Sequence, residues 1–448
     1  MKYITACMSA IIWGSGQFLN KQKCKGVLFF VFQALLAGIE LGTGSLAVLC
    51  GRFDPALPDA VFRNAGFFTK GLWGLISLGS VTRESSKTKV YDHSVMLLLA
   101  GIIATVVLLL FIVIWIWNIR DAYNTRKHFE ETGKRISSAD YFRNLWSSSF
   151  EYIIITPGML LILFISIVPI FFAIMVAFTN YNMNFIPPRR LVEWTGFETF
   201  ANLVKIKIWG STFVHIFIWT AIWAVLATAT AYIFGMLQAL LIRSKSVKLP
   251  KLWRSVFILP WAVPGIVSLM VFRTMLNKEG AINQLLLNAH LITEAIPFLS
   301  DPFWAKASLV LVNVWLGFPY FMTLISGVLV TIPQEIYEAA QIDGANSVQQ
   351  FRVISLPVII ASTSPQIMMS LTFNFNNFNT IYFLTDGGPA NANYQMAGST
   401  DILISWIFKL TLDQRMYNYA SALSILIFIV IASVSAWNLL RTRAFKED

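Results

Sequence analysis

Residues 94–117 run without a charged side chain and end on Trp115 and Trp117. A stretch of that kind covers the ~20 residues a helix needs to cross the hydrocarbon of a bilayer. Within hydrocarbon the backbone must satisfy its own hydrogen bonds, so the choice is between helices and a closed barrel. The same pattern returns along the chain, at 27–49, 152–178, 213–242, 256–276, 305–329, 358–378 and 420–440. These stretches are too long for barrel strands. The reading is an all-α integral membrane protein with about eight transmembrane helices. Hydrophobic residues make up 56% of the 448, charged residues 13%, and mean hydropathy is +0.64, which leaves a soluble core unable to hide its apolar surface.

Basic residues punctuate the spans. Arg120, Arg126, Lys127, Lys134, Arg135 and Arg143 follow the second; Arg243, Lys245, Lys248, Lys251 and Arg254 follow the fourth; Arg441, Arg443 and Lys446 follow the last. By the positive-inside rule these mark the cytoplasmic side and place both termini there. The net charge of +11 is therefore explained without nucleic acid, since the cations are not gathered into one arm or helix. Residues 1–25 carry their lysines after the apolar part, unlike a cleavable signal, and read as an interfacial or re-entrant start. Residues 26–117 form a transmembrane hairpin and 118–150 a cytoplasmic linker, part helix. Glu40 lies at membrane depth, either protonated, facing another helix or reaching the outer interface. A short re-entrant dip is open at residues 71–79. Three cysteines without a CxxC or Cys/His cluster indicate no metal site. No GxxxxGK[ST] loop occurs, so no cofactor is expected on this chain, and any ATP must be bound by another.

Between the spans at 305–329 and 358–378 lies a segment too polar for hydrocarbon. Pro333 can open a helix. Glu335, Glu338 and Asp343 put negative charge early and Arg352 positive charge late, and Gly344 offers a break. The expected form is helix, sharp turn, helix, either a plain connector or a knob on which a partner with a groove docks.

Two later stripes are polar at helical spacing. Asn313, Leu316 and Gly317 fall at i, i+3 and i+4; Ser370, Asn374 and Asn377 at i, i+4 and i+7. In a membrane, such amides either bond neighbouring helices or face a water-filled cavity. Spacing alone leaves both open. Neutral amides, hydroxyls and the aromatic faces of Trp261 and Trp315 suit a carbohydrate better than an ion, which would want carboxylates or arrayed carbonyls.

Glu338-Ala339-Ala340, Gly344, nine residues, then Ile354-Ser355-Leu356-Pro357 resembles the EAA loop of bacterial ABC importer permeases. The similarity runs from about residue 152 to the C-terminus, and more weakly to the N-terminal part, and within the family it points to the MalF-type subunits of maltose and maltodextrin importers. The resemblance implies a six-helix type I importer permease core at 151–442, with its EAA loop at 333–357, preceded by an N-terminal helix pair. It implies that Glu338, Ala339, Ala340, Asp343 and Gly344 couple to an ATPase. It also implies that Trp261, Gly265, Asn313, Leu316, Gly317, Ser370, Asn374 and Asn377 line a transmembrane sugar site. Where the family pattern has Tyr and Ser, this chain has Trp261 and Gly265, which keeps a stacking face but loses two hydroxyls. Ile381-Tyr382, Leu384-Thr385 and Gly387-Gly388-Pro389 match the signature at the outer end of the helix. The implied partners are a second, MalG-like permease, an ATPase dimer, membrane lipid, an oligosaccharide and an extracytoplasmic binding lipoprotein. The last follows because the outer loop at 179–211 is too short for the large outer domain of relatives from two-membrane bacteria. The implied role is non-catalytic import of maltodextrins, with galacto-oligosaccharides as the alternative. An ion-coupled carrier would show repeat symmetry and charges deep in the core spans, which carry few.

Overall fold

The computed structural model describes residues 1–45, 58–83, 91–244 and 247–441, the side chains of 45, 140 and 434–441 excepted. The outer end of the first expected span, Cys50, Lys245, the side chain of Arg441, Arg443 and Lys446 lie outside that set. Among the described residues, six helices are long and apolar enough to cross a membrane, and one bent pair makes a seventh if counted as a single span. The eighth expected span falls on the helix Tyr417–Arg441, whose described apolar part, Tyr417–Ser433, is shorter than the others. The chain divides into two compact units, residues 1–199 with 416–448, and residues 200–415.

In the first unit, α1 (Lys2–Ile11) and α2 (Ser15–Leu19) form a tight hairpin, followed by α3 (Lys23–Glu40), α4 (Phe67–Ser77) and α5 (Ser94–Thr132). α5 does not stop at Trp115 and Trp117; it continues to Thr132, so most of the expected linker's first half is one helix with the span. The hairpin is held to that extension by buried polar contacts. Gln17 Nε2 donates to Asp121 Oδ2 at 3.0 Å and to the Asn118 carbonyl at 2.9 Å. Asn118 Nδ2 donates to the Ser9 carbonyl at 2.8 Å. Lys25 Nζ sits 2.7 Å from Asp121 Oδ1 and 3.4 Å from the centroid of the Tyr141 ring, which belongs to α6 (Ser138–Ser148). Burial, with Asp121 nearby, pushes the Tyr141 phenol up to about 12.

Glu40 faces another helix. Its Oε2 accepts from the backbone N–H of Phe68 at 2.8 Å and of Thr69 at 3.4 Å. It thus satisfies orphan donors at the start of α4, where the helix dipole favours an anion. Residues 71–79 are largely the body of α4, an eleven-residue helix laid on α5 through Gly71, against Ala104, and Gly74, against Leu97. The span at 152–178 is α7 (Phe150–Ile162), a π-helical turn at Leu163–Ile167 and α8 (Val168–Ala177). Pro169 clashes with the carbonyl four residues back, and widening the turn relieves the clash.

The second unit contains α9 (Lys207–Arg243), α10 (Pro250–Ala262), α11 (Gly265–Met275) and α12 (Pro302–Thr331), then α13 (Gln334–Ile342), α14 (Ser347–Gln350) and α15 (Leu356–Phe375), and finally α16 (Phe378–Thr385) and α17 (Leu403–Leu412). The span at 256–276 breaks at Pro264 and not at Pro260. Val263, forced out of the helical region by the following proline, is extended (φ −100°, ψ 130°), and α10 and α11 meet at 89°. Pro260 stays inside α10. α17 carries no sequence expectation; it buries Leu403, Ser405, Trp406 and Leu410.

α9 and α12 pack along their lengths around Tyr232, Phe318, Phe321, Met322 and Ile325. Their approach depends on Gly235, where an added Cβ would lie 2.7 Å from Phe321 Cβ and 2.8 Å from the Phe318 carbonyl. Small residues permit such contacts between membrane helices. Gly235→Val is expected to force the pair apart and to destabilise the protein by about 1–3 kcal/mol, read as a lower melting midpoint in detergent. An unchanged midpoint would show that the helices move apart without cost.

Candidate functional site

The bend between α10 and α11 turns Trp261 and Gly265 toward α12 and α15, and between these helices lies a cavity of about 650 Å³. All eight residues singled out in sequence line it: Trp261, Gly265, Asn313, Leu316, Gly317, Ser370, Asn374 and Asn377. Among the described residues, no charged side chain does. Trp315 faces elsewhere, edge-on to Phe272 with ring centroids 5.1 Å apart. The aromatic wall comes instead from Trp261 with Tyr320, Phe321 and Phe373. Trp261 and Tyr320 are 6.0 Å apart and 35° from parallel.

The two readings of the amide stripes turn out to coexist. Asn313 Nδ2 donates to the Ala227 carbonyl on α9 at 3.2 Å. Asn374 Nδ2 donates to Thr228 Oγ1 at 3.0 Å, and the Asn374 carbonyl accepts from the buried Trp223 indole at 3.1 Å. Asn377 Nδ2 donates to Asn374 Oδ1 at 3.2 Å, and its own Oδ1 accepts from the Thr380 backbone, capping α16. These amides bond helix to helix and also border the cavity. Each is therefore held in one orientation, which is what a recognition surface requires. An atom built on Gly265 would meet nothing within 4 Å, so the cavity is open at this position.

Sequence reading missed Tyr320, Gln366, Asn379 and Thr380, all in the lining. Extending the stripes by one more helical step finds the first two. Tyr320 is at i+4 from Leu316, and Gln366 at i−4 from Ser370.

The second candidate region is the polar segment before α15. α13 ends in a Schellman turn: the Gly344 N–H donates to the Gln341 carbonyl at 3.1 Å and the Ala345 N–H to the Ala340 carbonyl at 2.9 Å. Gly344 has φ +83°, which a side chain would strain. Asn346 and Gln349 form a capping box at the start of α14. Tyr337 ties the knob to the base of α15 through its hydroxyl, 2.8 Å from Ser355 Oγ, while Arg243 lies 5.0 Å from the Tyr337 ring centroid. Glu338, Ala339, Asp343 and Gly344 are exposed and Ala340 half-buried. Ile342 is 87% exposed. The arrangement is a rigid helical elbow with an apolar tip.

At the far end of α16, Asp401 is buried against Lys409 Nζ (2.9 Å), the Gly398 N–H (2.7 Å) and Ser405 Oγ (2.8 Å). Burial pushes its carboxyl up against the pull of Lys409. The clasp folds the segment after Gly387-Gly388-Pro389 back onto α16 and α17, through Lys409 Nζ donating to the Asp386 carbonyl at 2.6 Å.

The family model described as binding-protein-dependent transport system inner membrane component matches residues 231–443. The chain is 36% identical to the galactooligosaccharides transport system permease protein GanP of Bacillus subtilis, over 99% of this chain and 98% of that one. It is 35% identical to the maltodextrin transport system permease protein MdxF of the same organism, over 99% and 96%. Against the maltose/maltodextrin permease MalF of Vibrio vulnificus the identity is 36%, over 59% of this chain and 51% of that one. Among solved structures, a bacterial ABC transporter that imports the acidic polysaccharide alginate superposes with TM-score 0.54 at 20% identity, over 66% of this chain and 96% of that one.

Proposed function

Because the chain belongs to the binding-protein-dependent transport system inner membrane components, the permease subunits of ABC importers, we propose that it forms one half of a membrane pathway for uncharged oligosaccharides, maltodextrins first among them. The observation that carries this reading is the cavity wall, built of neutral amides, hydroxyls and aromatic rings, with no charged side chain among the described residues. Amides and hydroxyls match the mixed donors and acceptors of a sugar, and the rings cover its apolar faces. The relative named for galacto-oligosaccharides favours those as the second reading.

A second, similar permease completes the pathway, and a binding lipoprotein delivers the sugar from outside. Relatives from Bacillus and Streptococcus align over nearly their whole length, whereas only about half of the Vibrio protein aligns. That supports a short outer loop served by a surface-anchored carrier. Two ATPase subunits dock from the cytoplasm, one of them on the elbow at Glu338 to Gly344. Both termini lie in the cytoplasm. When the ATPase dimer closes, the docked elbow moves as one piece, and the tie from Tyr337 to Ser355 passes that movement to α15, which carries Gln366, Ser370 and Asn374 of the cavity's polar lining. Nucleotide state then biases which side of the membrane the cavity faces.

Radiolabelled uptake of α- and β-linked oligosaccharides in a deletion strain tests the substrate. Uptake that requires ATP and survives a collapsed ion gradient is expected. No sugar flux for either series would remove the reading. Asn377→Ala removes the amide that orients Asn374 and caps α16; it is expected to raise KM about tenfold with assembly intact, from the loss of one to two hydrogen bonds. Unchanged kinetics would take Asn377 out of the site.

A further inference from the structure

We propose that Gln366 forms an inner subsite of the cavity, which takes hydroxyls of a further glycosyl unit and sets the preference for chain length. This rests on the oligosaccharide reading and adds a residue and a specificity to it. Gln366, Ser370 and Asn374 lie at i, i+4 and i+8 on α15 and all line the cavity. Helix rise separates the first from the last by about 12 Å. In the orientation proposed above, α15 runs outward from the elbow, so Gln366 is the innermost of the three.

Its chemistry differs from that of the others. Asn374 donates to Thr228, Asn377 to Asn374, and Asn313 to the α9 backbone, so much of their capacity is already used within the protein. Gln366 Oε1 is buried and accepts no hydrogen bond. A buried amide oxygen left unpaired is unfavourable, and native proteins seldom keep one without a reason. A glutamine that served only to join helices would be bonded across, as Asn313 and Asn374 are. An acceptor that bonds to nothing gives up no partner when its amide turns into the cavity that Gln366 lines, and a hydroxyl arriving there satisfies it. A disaccharide held between Trp261, Asn374 and Asn377 need not reach about two turns further in, whereas a longer oligomer does.

The test uses the complete importer in cells, with maltose and maltotetraose as one pair of substrates and galactobiose and galactotetraose as another. Gln366→Met keeps the shape and removes the amide. For whichever series is carried, KM for the tetrasaccharide is expected to rise about five- to tenfold and that for the disaccharide to change less than about twofold. Gln366→Asn, with a shorter reach, is expected to fall between. The melting midpoint of Gln366→Met is expected to hold or rise, because an unpaired buried oxygen has been removed; a structural role predicts a fall. Equal loss for both chain lengths, a lowered midpoint, or no change for either length overturns the subsite. If the wild-type importer carries neither series, the oligosaccharide reading fails and the subsite with it; if it carries one and only the subsite prediction fails, the reading stands.

Discussion

Asp121→Ala is expected to cost about 3–5 kcal/mol, the penalty for leaving a buried charge without its counter-ion. Lys25 and Asp121 have side-chain exposures of 1% and 7%, and Nζ to Oδ1 is 2.7 Å. With the carboxylate gone, the ammonium keeps only the face of Tyr141, and Gln17 Nε2 loses one of its two acceptors. Asp121 ties α2 to α5 through Gln17 and α3 to α5 through Lys25, so the N-terminal segment should loosen before the spans unfold, although bonds from Asn118 and to the Ala122 carbonyl still hold the hairpin. Expected readouts are a melting midpoint lower by roughly 10 °C and proteolytic cleavage within residues 1–25 that the native chain resists. The paired replacement Lys25→Met with Asp121→Leu removes both charges and should recover most of the loss, since a buried ion pair is often no more stabilising than apolar groups of similar size. If Asp121→Ala melts like the native chain, Lys25 is not a buried charge needing a partner, and the hairpin is held by its other contacts.

How much of this was legible beforehand depended on the kind of signal. The spans were, because hydrocarbon allows few solutions and 24-residue-scale apolar runs such as 94–117 have one. The amide stripes were in part: α12 and α15 remain regular through Asn313 and Asn374, so spacing predicted a shared face, but α15 ends at Phe375 and Asn377 reaches the cavity from the N-cap of α16. Other features depend on tertiary geometry. Pro260 and Pro264 look alike in sequence, yet only Pro264 breaks the helix. Its neighbour Val263 found an extended conformation that packing accepts, whereas Pro260 remained within α10. Trp315 shares the neighbourhood of the stripe but not its face, lying two residues from Asn313, where a helix points nearly the opposite way. Glu40 offered three readings, and choosing among them needed the start of α4, 28 residues later, to be placed beside it. The short α17 lies in a stretch whose flanking charges, Asp401 and Asp413, do not by themselves single out a helix. Its anchor, Asp401 with Lys409, becomes visible only once the segment after Pro389 folds back.

Glu338→Lys is expected to abolish transport while leaving the protein folded. Glu338 is exposed on α13, and the hydrogen bonds that shape the elbow belong to Tyr337, Ala340, Gln341, Asn346 and Gln349. The substitution therefore leaves the elbow's framework in place, and a surface change of this type alters stability by no more than about 0.5 kcal/mol. Docking is a different matter. Reversing the charge on a surface that fits a groove opposes like charges where opposite ones met, and losses of about 2–5 kcal/mol follow when the pair is desolvated. That corresponds to a fall in ATPase affinity of roughly 30-fold or more, enough to lose the subunit during purification and to reduce uptake below about a tenth. Glu338→Gln, which removes the charge without reversing it, should lie between. Gly344→Val attacks the same elbow by another route, through a φ of +83° that a β-branched residue strongly resists, and should reduce coupling by distorting the turn and not the charge. Membrane level and melting midpoint, measured alongside ATPase co-purification and uptake, separate the two routes. A Glu338→Lys chain that retains a nucleotide-hydrolysing partner and transports at the native rate would show that force enters this protein somewhere other than the elbow.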